Sequence, residues 1–212
     1  MELCTIDWLP TPEVIMARSQ AAAAADLLLS PEADFRQFRC NMQWQPGMAA
    51  AWRHDGAGSY YYVLQMGTAM AIKCCALRLS VAPDALARFQ KNPSVPIPPV
   101  AERVLNEPEF RYQELSFLAW TDKDQPWHGL QFRVDGKSSL DMGKPLLDLV
   151  CLGARAFYVH AQAYHEVTID PTALKSLFNM TPLDATLAKS IAPDANLGSA
   201  LKELAVIGYP VA

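Results

Sequence analysis

The stretch Tyr60-Tyr61-Tyr62-Val63-Leu64-Gln65-Met66-Gly67-Thr68-Ala69-Met70-Ala71-Ile72-Lys73-Cys74-Cys75 decides the fold class. Tyr60, Tyr62 and Leu64 alternate with Tyr61, Val63 and Gln65, the two-residue period of a β-strand. Met66-Gly67-Thr68 turns the chain back, and Ala69 to Leu79 continues as a partner strand with Met70, Ile72 and Cys74 on one face. The pattern predicts a β-hairpin. Upstream, Met48 to Trp52 reads as a short strand, followed by the loop His54-Asp55-Gly56-Ala57-Gly58-Ser59, rich in residues that tolerate positive φ.

A second hairpin is predicted further along. Leu115, Phe117 and Ala119 alternate with Ser116, Leu118 and Trp120, then Thr121 to Pro126 forms a polar turn, and Trp127 to Val134 runs back to Asp135-Gly136. Between the hairpins, residues 92–100 hold Pro93, Pro96, Pro98 and Pro99. Proline lacks the N–H that a helix interior or central strand requires, so this segment is expected to be an extended connector. Because hairpins of the same kind flank it, it reads as a crossing within one domain covering residues 1–212.

Helical spacing marks both ends of the chain. Thr11 can cap a first helix, with Pro12 in its first turn and Glu13 near its positive end. Val14, Ala17, Ala21, Ala24 and Leu28 recur at spacings of three and four, which predicts one buried stripe. Ser30-Pro31-Glu32 ends that helix and can begin a short second one carrying Phe35 and Phe38. After Ser138 the whole chain reads as helical. The segment around Leu146–Val150 is apolar on most sides, and Ala154 to Tyr164 is rich in aromatics. Asp170-Pro171 and Thr181-Pro182 open two more helices, and Asp194 or Asn196 starts a last one that ends at Gly208. The expected fold is therefore α+β: an antiparallel sheet of four to five strands from two hairpins, packed by the N-terminal helix and several short C-terminal helices.

Composition narrows the function classes. The 212 residues carry 18 Lys and Arg against 22 Asp and Glu, a net charge of −4, with no basic run longer than Arg36-Gln37-Phe38-Arg39. This argues against a nucleic-acid partner, which requires a basic stripe to displace phosphate counterions. Cys4, Cys40, Cys74, Cys75 and Cys151 are odd in number and contain no CxxC pair. They read as buried small apolar residues of a reducing, cytoplasmic compartment. The run Ala21 to Leu29 looks membrane-like, but Arg18, Gln20 and Asp26 interrupt it well short of the ~20 apolar residues a span requires. No membrane association is expected.

Three clusters are candidates for chemistry. The loop His54 to Ser59 holds His54, Asp55 and Ser59, the residue types of a nucleophile, base and orienter set. It lacks a GxSxG elbow, and its GxG precedes a strand instead of a helix, so a polar hairpin loop is the competing reading. Trp120, Asp122, Asp124, Trp127 and His128 surround the second turn. The tryptophans there could line a ligand groove, anchor a protein partner or close a core, and His128 lies on an apolar strand face. His160, His165 and Glu166 form the third. Histidines five apart miss the i, i+4 spacing of a helix-borne zinc pair, so no metal site is expected. The run Tyr60-Tyr61-Tyr62 places aromatics on each sheet face. It offers a binding surface if one face lacks a helix cover.

Tyr164-His165-Glu166-Val167-Thr168-Ile169-Asp170, then Pro182-Leu183 with Leu187, and the ending Ile207-Gly208-Tyr209-Pro210-Val211 resemble the C-terminal third of bacterial α+β proteins of similar length. Gly58-Ser59-Tyr60-Tyr61 before a strand is a looser match. The layout of an antiparallel sheet with surrounding helices is also similar to that of SMI1/KNR4-like proteins, many of which look like immunity proteins against secreted toxins. Neither resemblance carries a catalytic motif, so neither transfers a functional residue. With no catalytic, phosphate or metal motif, and no cofactor implied, the expected function is a non-catalytic protein-binding or toxin-immunity-type module. Its binding residues would be Trp120, Trp127, Tyr60 and Tyr62, and its acidic balance suits a basic, toxin-like partner. The alternatives are a small hydrolase using His54 with Asp55 or using His128, and a small-ligand-binding domain walled by Trp120 and Trp127.

Overall fold

A computed structural model describes residues 1–81, 97–110 and 114–212. It is α+β, with strands β1 (Glu2–Ile6), β2 (Phe38–Gln45), β3 (Met48–His54), β4 (Tyr60–Met66), β5 (Ala69–Cys75), β6 (Phe117–Asp122) and β7 (Trp127–Gln131) in one sheet ordered β1-β7-β6-β5-β4-β3-β2. A separate two-stranded hairpin pairs β8 (Arg133–Val134) with β9 (Lys137–Ser138). Described helices are α1 (Pro12–Leu29), α2 (Pro99–Asn106), α3 (Ser139–Leu152), α4 (Ala154–Tyr164), α5 (Pro171–Phe178), α6 (Ala185–Ile191) and α7 (Leu197–Ile207). These residues gather into two compact units: Met1–Leu9 with Gln45–Leu147, and Pro10–Trp44 with Asp148–Ala212.

The sheet has seven strands, not four to five. The two expected hairpins are present, β4–β5 and β6–β7, and β5 pairs antiparallel with β6 between them. The unexpected strand β1 pairs with β7 from Glu2↔Gln131 to Ile6↔Trp127. Its partner lies more than a hundred residues away, so no local turn signal announces it. The other is β2, whose Phe38 was expected in a short helix. Instead Ala33–Phe35 forms a single 3₁₀ turn, with Phe35 59% exposed, and Phe38 opens the strand.

Further boundaries differ: β3 runs on to His54, and β7 ends at Gln131, with Arg133–Val134 in the separate hairpin. Strand β5 ends at Cys75, not Leu79. The proline-rich connector gives way to α2 at Pro99, where Pro98 is the N-cap. A proline in the first turn costs nothing, since that N–H has no intrahelical partner. Pro93 and Pro96 lie outside the described residues. The penultimate helix starts from Asp184, whose carboxylate accepts the Leu187 N–H at 2.7 Å, not from Thr181-Pro182.

In the first unit the sheet supplies most of the core. Tyr61, Tyr62, Val63, Leu64, Ile72, Cys74, Phe117, Leu118 and Ala119 are all buried. Helix α2 is amphipathic and buries Val100, Ala101, Val104 and Leu105 against β4, β5 and β6. Strand β7 approaches its neighbours closely at Gly129, the cross-strand partner of both Cys4 and Ala119. A Cβ there would lie 2.4 Å from the Ile6 Cδ1 and 2.9 Å from the Leu118 carbonyl oxygen.

In the second unit α1 packs against α5, α6 and α7. Of the expected stripe, Ala21, Ala24 and Leu28 are buried, but burial is not confined to it. Val14 is exposed and Ala17 half-buried, while every residue from Ser19 to Leu28 is buried. A helix surrounded by others has no solvent face, so helical periodicity fades from its sequence. Alanine at positions 21–25 makes the close approach sterically feasible.

Gly129→Ala is expected to destabilise the first unit by about 1–3 kcal/mol, because one contact is with backbone that cannot rotate away. Urea denaturation should show a lower midpoint at an unchanged slope.

Candidate functional site

A cavity of 480 Å³ opens in the first unit, where the start of α2 passes over β5, β6 and β7. Its apolar wall comes from Ile97, Pro98, Pro99 and Val100 on one side and from Met66, Ala69 and Trp120 on the sheet. Asp122, Gln125 and His128 add polar groups. The two prolines explain the opening: Pro98 is extended and Pro99 sits in the first turn of the helix, so neither supplies a long side chain to fill the space. Trp120 and His128 are direct cross-strand partners on the same face of the sheet. The Thr121 hydroxyl is committed to the Gln125 carbonyl at 2.7 Å, and Asp122 accepts from the Thr68 hydroxyl at 2.7 Å.

The structure therefore brings Trp120 and His128 together but separates Trp120 from Trp127. Adjacent strand residues point to opposite faces, so Trp127, beside His128, lies with its partner Ile6 on the far side of the sheet. Trp127 is buried there and does not line the cavity.

Tyr60 and Tyr62 are buried too, at 3% and 1% exposure. They do not form an open aromatic surface. Tyr62 stacks on Phe110 at 4.5 Å, and its hydroxyl lies 2.7 Å from His54 Nε2. Asp55 holds the loop, its Oδ1 accepting the N–H groups of Ala57 at 2.8 Å and Ser59 at 2.9 Å. The Ser59 hydroxyl oxygen accepts the Leu77 N–H at 3.0 Å. These bonds make Asp55 to Ser59 a braced hairpin loop, with His54 the last residue of β3.

Behind that loop lies a polar cluster that sequence reading passed over. Tyr60 donates its hydroxyl to Glu114, and burial, with Cys75 and Glu114 nearby, pushes its pKa well above the ordinary tyrosine range. Lys73 has no exposed surface, and its Nζ donates to the Phe110 carbonyl at 3.0 Å. Burial lowers its pKa to about 8, against the opposing pull of Cys75 and Glu114. Cys75 is raised, again chiefly by burial. A single lysine in an otherwise apolar strand was the available signal. Its charge is costly to bury, so it needs partners.

In the second unit His165 Nε2 lies 2.9 Å from Asp26 Oδ1, although its N–H is not aimed along that line. Asp26 is fully buried, and its other oxygen accepts the Phe38 N–H at 2.8 Å. His160 stacks on Tyr164 at 5.3 Å and meets His165 edge-on at 5.7 Å. Glu166 stands in the left-handed region at φ 56°. Among the described residues no three His, Cys, Asp or Glu side chains gather as metal ligands, and none of the five cysteines is in a disulfide. No described helix is long and apolar enough to cross a membrane.

The class of protein defined by these features is an α+β protein with a seven-stranded sheet and a small-molecule-sized cavity. Comparisons with known protein families, with curated proteins and with solved structures returned no match.

The Lys73 amine gives a pH prediction. Its folded pKa, about 8, lies below its ordinary value of 10.5. Between these values the unfolded chain binds more protons, so this group's contribution to stability rises with pH. The unfolding free energy of the natural chain minus that of Lys73→Met should rise by up to about 1.4 kcal/mol per pH unit above pH 8, and stay level below it. Paired urea titrations across pH 7–10 measure this difference, and a flat one means an unshifted amine.

Proposed function

We propose that this protein binds a small, largely apolar molecule without chemically changing it, in the cavity under the start of α2. The observation that carries this reading is the 480 Å³ cavity itself. It falls within the roughly 300–1,000 Å³ of small-molecule sites, and it combines apolar walls with a few polar groups, as such sites do. Trp120 offers a ring face on which a flat ligand can stack. Asp122, Gln125 and His128 supply donors and acceptors to orient one polar end. These residues bind and orient, and none of them is a nucleophile held against a base.

Screening a small-molecule library by thermal denaturation tests the proposal. A ligand at about a hundred times its Kd stabilises by roughly 2.7 kcal/mol, which raises the Tm by several degrees for a chain of this size. Val100→Phe, which places a ring into the cavity, should leave the fold intact and abolish the shift. Hits that survive Val100→Phe unchanged would place the binding elsewhere, and a screen without hits would refute the reading.

A second reading is the non-catalytic protein-binding or toxin-immunity-type role. The net charge of −4 favours it, as do the exposed apolar side chains Leu152 and Val159 in the second unit, 57% and 61% exposed. Tyr60, Tyr62 and Trp127 are buried, so the contact surface in this reading is made of other residues. Val159→Glu should then weaken capture of a basic partner encoded beside this chain, measured with purified components. Equal binding by both chains would remove the assigned surface.

A further inference from the structure

The second unit holds a serine, a histidine and an aspartate in sequence-distant contact. Ser30 is the C-cap of α1, and its backbone N–H donates to Asp26 O at 2.8 Å. One turn back on the same helix, Asp26 projects its carboxylate toward His165, the C-cap of α4. His165 Nε2 is 2.9 Å from Asp26 Oδ1, and its Nδ1 is 3.4 Å from the Ser30 hydroxyl oxygen. Asp26 is wholly buried, the His165 side chain is 7% exposed, and Ser30 is half-buried, so access from solvent increases from aspartate to serine.

The geometry points to Ser30 as a nucleophile of acyl transfer, with His165 as its general base and Asp26 as a positioning residue. This site is independent of the cavity in the first unit. The Asp26 carboxylate lies 2.9 Å from Nε2 but off the line of its N–H; a small turn of the ring aligns the pair, and a proton held at Nε2 leaves the Nδ1 lone pair facing the serine hydroxyl. The second oxygen of Asp26 is fixed by the Phe38 N–H, so the carboxylate cannot swing away. A 3.4 Å separation is long for a hydrogen bond, and such contacts shorten when substrate is bound.

The surroundings define the substrate class. Phe35 and Tyr164 are 59% and 42% exposed, and the Tyr164 hydroxyl donates to the Phe35 carbonyl at 2.9 Å. The Tyr164 ring lies 4.9 Å from that of His165. The exposed Tyr164 ring gives the base an apolar flank, which suits an ester with an apolar acyl group. Arg36 donates from Nε to the Ser30 carbonyl at 2.7 Å, and also to Pro31 O and the Glu203 carboxylate. These bonds hold the backbone that carries the nucleophile in place, and the Arg36 charge is met by the Glu203 carboxylate.

In the reaction, Ser30 Oγ bonds to the ester carbonyl carbon while its proton passes to His165 Nδ1. The carbonyl–alkoxy bond breaks, and the alkoxide leaves with that proton as the alcohol. Water, deprotonated by the same nitrogen, then attacks the acyl-serine, releasing the carboxylic acid and restoring Ser30. The net change is ester plus water to acid plus alcohol, with no oxidation or reduction.

Treatment of the natural chain with an alkyl fluorophosphonate, followed by peptide mass mapping, tests this directly. Attack forms the Ser30 Oγ–P bond and expels fluoride with the serine proton. The expected result is an adduct on Ser30, absent in Ser30→Ala and at least about tenfold slower in His165→Gln. No adduct on Ser30 in the natural chain overturns the proposal, as does an undiminished rate in a His165→Gln chain with native circular dichroism. A second measurement isolates activation from folding. In Ser30→Cys the new thiol should be alkylated by iodoacetamide with an apparent pKa at least about one unit below the ordinary 8.5. The groups facing His165 are Asp26, His160, Tyr164 and Ser30. Asp26→Asn in that background should return the alkylation profile toward 8.5, which a purely structural aspartate would not do. An ordinary thiol profile in the Ser30→Cys chain overturns the proposal.

Discussion

A carboxylate without exposed surface, Asp26, stands for the constraint that governs this protein: a polar group taken out of water must be met by another. In the second unit α1 is buried on all sides over its latter half, so its polar side chains act as fixed connections. Arg18 donates to the carbonyls of Val150 and Cys151, at 2.8 and 2.6 Å, at the end of α3. Gln20 donates to the carbonyls of Ile207 and Gly208, at 3.1 and 2.9 Å, where α7 stops. Asp26 receives the first N–H of β2 and meets His165 at the end of α4. The last carbonyls of a helix have no partner within it, and α1 supplies donors to two such ends.

The same constraint organises the first unit. Lys73 is buried on the central strand β5 and is met by the Phe110 carbonyl, with Glu114 and Cys75 nearby. The Ser139 hydroxyl donates to the Leu130 carbonyl at 2.8 Å and accepts the Phe132 N–H at 3.2 Å, joining the end of β7 to the start of α3. Where polar needs are met by side chains, packing can be left open elsewhere. The cavity beside Trp120 and His128 lies under a segment of prolines that make no donor demands on the sheet. The binding proposed for the first unit and the acyl transfer proposed for the second thus rest on different side chains, each oriented by its local backbone.

The candidate residues were unevenly legible in the sequence. Trp120 and His128 stood out because rare side chains flanked a turn, and they do line a cavity. Trp127 was grouped with them by proximity in the chain, yet strand alternation sends it to the opposite face. Tyr60 and Tyr62 looked adhesive because strand periodicity does not reveal what covers a face, and in the folded protein both are buried. Asp26 and Arg18 were noted only as interruptions of an apolar run, and His165 only as a poorly spaced metal ligand. Their roles arise from contacts across more than a hundred residues, which no local pattern encodes.

The sequence by itself determined the α+β class, the β4–β5 and β6–β7 hairpins, and most of the helix caps, including Asp170, Asn196 and Gly208. Each follows from short-range forces: side-chain period, turn stereochemistry, and hydrogen bonds closed within a few residues. Only the tertiary structure decided that β1 and β2 extend the sheet, that α1 is enclosed, that space remains beside Trp120, and that Ser30, His165 and Asp26 meet. Those outcomes depend on which distant surfaces exclude water from one another. That free energy belongs to pairs of elements, and neither member of a pair carries it alone.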